Sequence, residues 1–313
     1  RKKMVQLSNI ITIVGMLLPF ISYNLATCLL AFAFLGIGNT MLQVSLNPLL
    51  TNVVKGDALT SSLTAGQVVK AVSSICGPFI AAFAAGTLGN WKYLFPIFAL
   101  VTLISAIWLM ATHIEEQKSE KNAASVASVF GLLKDKTILF LFLGIFFVVG
   151  VDVGVNTLSP KLLMERAGWA VKNAGLAASV YFFCKTAGAF IGAFALAKVN
   201  AVKYFRWNII IAALALVLLF FVDGAVPMMI LIGAIGLFCA SVFSIVYAAA
   251  MQARPDKANE ISGLMITGVS GGAVIPPLMG AMTDMMGGQV GSIIVIGVCM
   301  FYLLLCSFRL SES

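Results

Sequence analysis

Long apolar runs alternate with short polar gaps along the whole chain, and the gaps set the elements. About ten runs are predicted as membrane-crossing helices, a crossing needing about 20 apolar residues. They cover residues 5–21, 25–53, 63–86, 93–112, 137–161, 174–197, 207–221, 227–251, 261–283 and 292–308. Ser22, Tyr23 and Asn24 read as a tight turn, and Trp91 and Tyr93 suit a membrane interface. The longest polar stretch, His113 to Lys136, reads as a linker between two halves, with a short interfacial helix from Val126 to Leu133. Pro160 is expected to end the fifth run. Glu165 to Lys172 reads as a polar turn, and Lys198 to Arg206 as a basic loop.

Composition agrees with the pattern. Of 313 residues, 61% are hydrophobic and 10% charged, against roughly 25% charged in soluble domains. The mean hydropathy is +1.04. The chain cannot cover itself with a polar surface, so the fold class is an all-α polytopic membrane protein. The net charge of +8 does not indicate nucleic acid, because the charges lie in gaps between spans. Fourteen of the twenty lysines and arginines fall on one side, four on the other, and Lys70 and Lys185 inside spans. The richer side is expected in the cytoplasm, with both chain ends. The six cysteines sit in apolar runs and read as packing residues, with no metal site and no disulfide framework.

Four spans precede the linker and six follow it. The expected domains are residues 1–112 (the remainder of an N-terminal helical half), 113–136 (a cytoplasmic linker) and 137–313 (a six-helix half). The abrupt start at Arg1, Lys2 and Lys3, without Met, suggests spans three to twelve of a twelve-span protein.

Polar residues inside the spans are the candidate chemistry. Asn39, Gln43 and Asn47 recur every four residues before Pro48, which puts three amides on one helical face. Gln67, Lys70 and Ser74 share a face of the third span, ahead of Gly77 and Pro78. Asp152, Asn156 and Ser159 stripe the fifth span. Tyr181 and Lys185 stripe the sixth, with Gly188 and Gly192 beyond. Lys70, Asp152 and Lys185 fall near mid-membrane, and Asp152 is the only carboxylate assigned to a span interior. An intramembrane charge costs several kcal/mol on insertion scales, so it usually faces protein or a watery cavity. A structural salt bridge is the competing reading of these three charges. Helix-to-helix glue is the competing reading of the amides, and close packing that of the glycines. His113 is the only histidine, and no catalytic constellation or phosphate-binding loop can be assembled. An enzyme is excluded on that reading.

The residues resemble a known family. Arg1, Lys2 and Lys3 look like the basic end of the loop motif between helices two and three of the major facilitator superfamily. Within it, Leu42 to Leu50 resembles the fourth helix of the fucose–proton and glucose/galactose symporter family. Gln67, Lys70, Gly77 and Pro78 resemble its fifth helix, Val148 to Leu158 its seventh, Ser241 to Ala250 its tenth, and Ile261 to Asp284 its eleventh. The resemblance implies two six-helix halves, a central sugar site and proton coupling by alternating access. It also implies a bacterial inner-membrane location. Three positions depart from the family: Gln43 replaces its carboxylate, Lys70 its asparagine, and Ala189 a common arginine, with Lys185 one turn earlier.

The expected substrate site is Gln43, Asn47, Gln67, Lys70, Asn156, Tyr181 and Lys185, with Asp152 for proton coupling or gating. The expected partners are a small-molecule sugar or sugar acid, a uronate among them, a proton and the lipid bilayer. Nucleic acid and cofactors are not expected, and a monomer suffices. A proton-coupled exporter of metabolites or drugs and a non-transporting substrate sensor are the alternatives.

Overall fold

In the computed structural model the chain is helical, and residues 2–54, 57–112, 126–170 and 174–310 are described. The helices are α1 (Lys2–Ile21), α2 (Leu25–Val53), α3 (Asp57–Thr87), α4 (Leu94–Ala111), α5 (Val126–Gly131), α6 (Lys136–Ala167), α7 (Leu176–Ala195), α8 (Ala201–Phe221), α9 (Ala225–Cys239), α10 (Val242–Ala253), α11 (Ala258–Thr267), α12 (Gly271–Met286) and α13 (Val290–Arg309). Single 3₁₀ turns occupy Trp91–Tyr93, Leu132–Lys134, Pro255–Lys257 and Gly268–Ser270. Among the described residues, nine candidate spans are long and apolar enough to cross a membrane. Helix α3, at 31 residues, has the length to make a tenth at 1.5 Å per residue. Most of the expected linker, His113 to Ser125, lies outside the described residues, as do the side chains of Ser74, Gly77 and Pro78.

The chain divides into two compact units, residues 1–55 with 72–124, and residues 56–71 with 125–313. In the first unit, the Asn24 side chain caps α2 by accepting from the Thr27 N–H at 2.9 Å. Gly38 lets α2 approach α1, where a Cβ would meet the Thr12 hydroxyl. Ser8 Oγ donates to the Gly38 carbonyl at 2.7 Å. Lys2 Nζ caps the end of α4 through the Met110 and Thr112 carbonyls, at 3.1 and 2.6 Å.

The second unit is organised on α6. Ile138, Leu141, Ile145, Val148, Val155 and Leu162 are buried at alternating spacings of three and four. Asp152 and Ser159 complete that seam by position. Between membrane helices, packing rather than water exclusion supplies the stability. Close approach therefore matters: a Cβ at Gly154 would lie 3.0 Å from Met279 Sδ and 3.2 Å from Ile296, and one at Gly271 would strike the Phe146 carbonyl.

Several elements differ from the sequence expectation. Pro160 does not end α6, which runs on to Ala167. A proline in a membrane helix is tolerated because its surroundings re-satisfy the backbone. Gly168, at φ +64°, is the actual stop, with its N–H bonded to the Leu163 carbonyl. Glu165 accordingly sits in the last turn of α6 rather than in a loop. The basic loop is shorter than expected, because Asn200 caps α8 by accepting from the Val202 and Lys203 N–H groups. Lys203 and Arg206 therefore stand on a helix. The eighth run is two helices, interrupted at Ala240 and Ser241, and the ninth is interrupted by the 3₁₀ turn at Gly268–Ser270.

Both ends of the second unit are tied by side chains. At one end Arg254 Nη2 meets Asp135 Oδ2 at 3.0 Å. At the other, Arg166 Nη1 donates to the Leu219 and Phe220 carbonyls at 3.0 and 3.1 Å, and Glu165 accepts from the Gln289 N–H at 2.8 Å.

Candidate functional site

Asp152 is the centre of the site. It occupies a core position of the α6 seam, where an apolar residue would continue the pattern, so its carboxylate needs partners. Helix α7 supplies two, one turn apart. Tyr181 Oη donates to Asp152 Oδ1 at 2.6 Å, and Lys185 Nζ pairs with Asp152 Oδ2 at 2.5 Å. Tyr181 is fully buried, whereas Lys185 and Asp152 keep 29% and 32% of their side chains accessible. The ion pair is thus partly accessible, while the tyrosine is enclosed.

Two glycines let α7 carry these groups in. A Cβ at Gly236 of α9 would lie 2.7 Å from the Tyr181 carbonyl oxygen and 3.0 Å from its ring, and one at Gly188 would strike the Leu237 carbonyl. Gly192 is likewise pressed on the Ser241 hydroxyl. Gly188 and Gly192 thus serve helix packing. Gly236 carries no polar signal in the sequence, and its role emerges only once α9 lies against α7.

One turn beyond Asp152 lies Asn156. Asn156 Oδ1 is buried with no hydrogen-bond partner among the described residues. Pro160 has no N–H to give to the Asn156 carbonyl. Ser159, grouped with them by spacing, is instead turned back onto the Val155 carbonyl of its own helix and fully buried.

Lys70 is exposed on α3, in the part of that helix belonging to the same unit. It is close enough to Lys185 and Asp152 for charge interaction with both. Gln67, one turn earlier, is half-buried. The structure thus brings Lys70, Asp152, Tyr181 and Lys185 together, with Asn156 a turn away. Gln43 and Asn47 are half-buried on α2 in the first unit, one turn apart on one helix, and Asn39 is exposed. Among the described residues, no group of three or more His, Cys, Asp or Glu side chains could hold a metal.

Residues 1–176 match the family model of the Major Facilitator Superfamily. The chain belongs to that superfamily, a class of transporters rather than enzymes. More particularly, it is 24% identical over 304 residues to a glucose/galactose transporter of Brucella abortus, covering 92% of this chain and 73% of that one. It is 23% identical over 297 residues to a putative glucose/galactose transporter of Helicobacter pylori, covering 89% and 72%. Its fold matches the fucose:proton symporter FucP of Escherichia coli with a TM-score of 0.85, at 16% identity, covering 99% of this chain and 84% of that one. A bacterial homologue of the iron transporter ferroportin matches at 0.69, with 14% identity and 98% and 82% coverage.

Proposed function

We propose that this chain is a secondary-active transporter of a sugar or sugar derivative, working by alternating access with proton symport. The observation that carries the reading is the sharing of Asp152 between Tyr181 and Lys185. A carboxylate held this way has two states. Ionised, it binds the Lys185 ammonium. Protonated, it keeps its tyrosine but loses the charge attraction to the lysine. Lys185 is then available to an oxygen of the substrate. Asp152 is the proton acceptor in this scheme, and Lys185 the group that proton binding releases.

The substrate class follows from the other groups. Gln43, Asn47 and Gln67 each offer donors and acceptors suited to sugar hydroxyls. Asn156 Oδ1 offers an acceptor that lacks a donor among the described residues. Lys70 and Lys185 outnumber Asp152 and favour an acidic sugar such as a uronate. The glucose/galactose and fucose relatives support the sugar class. The two halves flank the 113–136 linker, and the protein acts as a monomer in a bacterial inner membrane, with the lysine- and arginine-rich helix ends in the cytoplasm.

Uptake into proteoliposomes tests the reading, with a panel of neutral and acidic sugars at two pH values. Uptake of at least one sugar should rise when the outside is more acidic. Asp152→Asn should remove that pH dependence, and Lys70→Ala should weaken uptake of acidic sugars more than neutral ones. Normal pH dependence in Asp152→Asn would sink the coupling role. Indifference to Lys70→Ala would sink the preference for acidic sugars.

A further inference from the structure

The interrupted span of α9 and α10 carries three hydroxyls that the transport site does not use. Ser241, Ser244 and Tyr247 recur every three residues, which sets them about a turn apart along one side of a helix. The file begins at the interruption. Ser241 stands at the head of α10 without capping it. Two residues earlier, Cys239 ends α9, close enough to Asp152 and Lys185 for charge interaction with both. The file leads toward the end of the unit where Arg254, directly after α10, meets Asp135.

Neighbouring helices add hydroxyls at both ends of the file. Along α7, Tyr181 lies on Gly236, Gly188 on the Leu237 carbonyl, and Gly192 on the Ser241 hydroxyl. Gly192 follows Lys185 by two turns, so Ser241 stands about 10 Å past the ion pair along the bundle. A Cβ at Gly192 would lie 3.3 Å from the Tyr204 hydroxyl as well as against that of Ser241, so the two hydroxyls converge there. Tyr204 comes from the first turn of α8. At the far end, Tyr247 Oη donates to Ser262 Oγ of α11 at 2.7 Å, and both residues are fully buried. Ser244, between these two points, is the anomaly. It is fully buried, and its hydroxyl has no hydrogen-bond partner among the described residues. Other hydroxyls in the spans turn back onto their own helix: Thr157 donates to the Val153 carbonyl, Thr186 to that of Phe182 and Thr267 to that of Gly263. Ser244 does not. A hydroxyl left without a partner in an apolar span is costly, and water is the small molecule that supplies one.

We infer that Ser241, Ser244 and Tyr247, bridged by water, form the path on which the proton leaves Asp152 for the Arg254 end of the unit. The path presupposes Asp152 as the proton acceptor proposed above. Protonated Asp152 gives its proton to a water oxygen, so the carboxyl O–H breaks and a water O–H forms. Each hydroxyl then accepts one proton from the side of the site and gives its own to the next oxygen. The hydroxyls end as they began, one proton leaves, and the Asp152 carboxylate recovers the Lys185 ammonium.

Two measurements test the path. Hydroxyl-radical labelling by X-ray pulses marks buried side chains that touch bound water, and it needs no substrate. Tyr247 should be labelled although it is fully buried, while Cys306, fully buried on α13 and intrinsically more reactive, should not. Ser244→Ala should lower the Tyr247 label. An unlabelled Tyr247, or a label on Cys306 equal to it, would overturn the water path. Proteoliposomes give the second measurement, with galactose and galacturonate as probes. Exchange of labelled for unlabelled sugar at equal concentration turns the site round without releasing the proton, whereas net uptake driven by an acidic outside requires release. Ser241→Ala and Ser244→Ala should each slow net uptake by about tenfold, the rate equivalent of one lost hydrogen bond, and leave exchange at the wild-type rate. Equal loss of exchange and net uptake would reduce both serines to packing, and undiminished net uptake would remove them from the proton route. Failure of the underlying transport reading looks different: the wild-type chain then shows no acid-driven uptake, and the path falls with it.

Discussion

At the scale of single residues, the chemistry rests on charges that have definite partners. Tyr181 is fully buried, and its hydroxyl donates to Asp152. A hydrogen bond to a charged group is worth about 1.5–3 kcal/mol. Tyr181→Phe should therefore lower the thermal midpoint in detergent while leaving the helical content unchanged. A midpoint equal to wild type would mean that the hydroxyl contributes nothing to holding the carboxylate. The pair at the membrane surface behaves differently. The Arg254 hydrogen bond, followed by the Thr137 N–H, holds Asp135 below its ordinary value. A depressed carboxylate stabilises the folded state above its unfolded pKa, and that contribution fades as pH falls through the folded value. Arg254→Gln should thus melt below wild type at neutral pH, with the gap closing in acid below the ordinary carboxylate range. A gap that stays constant on acidification would remove the pair from the stability of the fold. The pair is partly exposed, so the effect should also shrink in salt.

At the scale of elements, the sequence was most legible where hydrophobic runs met recognised stops. Asn24 marks the start of α2, and α2, α4 and α13 lie within a few residues of their expected bounds. It was least legible where packing overrides a local signal. Pro160 should stop a helix, yet α6 continues to Gly168 because a bundle can supply what proline removes. The interruptions at Ala240 and Ser241 and at Gly268–Ser270 leave no mark in hydropathy, since both halves of each span are apolar. The site divides in the same way. The i, i+4 spacing of Tyr181 and Lys185 on α7 was visible, and so was the isolation of Asp152. That both reach one carboxylate depends on Gly236 and Gly188, whose role needs the facing helix. This gives a paired prediction. Gly188→Ala places a methyl on the Leu237 carbonyl, a rigid neighbour, and should destabilise by about 1–3 kcal/mol. At Gly263, inside α11, an added methyl would meet nothing within 4 Å. Gly263→Ala should therefore stabilise by about 0.5–1 kcal/mol through helix propensity alone. Thermal midpoints of the two variants in one detergent check the contrast, and equal shifts would mean that the α7–α9 approach is not tight.

At the scale of the whole molecule, charge is sorted by helix end in the second unit. In the second unit, contacts place the head of α6, the end of α10, the start of α8 and the end of α13 at one level, through Asp135 with Arg254, Arg206 with Phe308, and Arg309 with Phe140. That level also carries Lys134, Lys136, Lys203 and Lys257. The opposite level is marked by Arg166 on the Leu219 carbonyl and Glu165 on the Gln289 N–H. There Lys161 and Arg166 are accompanied by Glu165, Asp223 and Asp284. Lysine and arginine excess holds short loops on the cytoplasmic side, so the first level should be cytoplasmic. Reporter fusions check this directly. Alkaline phosphatase, which is active only outside the cytoplasm, should be active when fused after Trp169 and inactive after Lys198 or Arg309. Green fluorescent protein should give the reverse pattern. The same orientation puts the Arg206 and Arg309 contacts at the cytoplasmic face. Phosphatase activity after Arg309 would invert the topology and move those contacts to the other face. The Asp152 to Lys185 pairing would be untouched, because it is internal to one unit and independent of which side faces the cell.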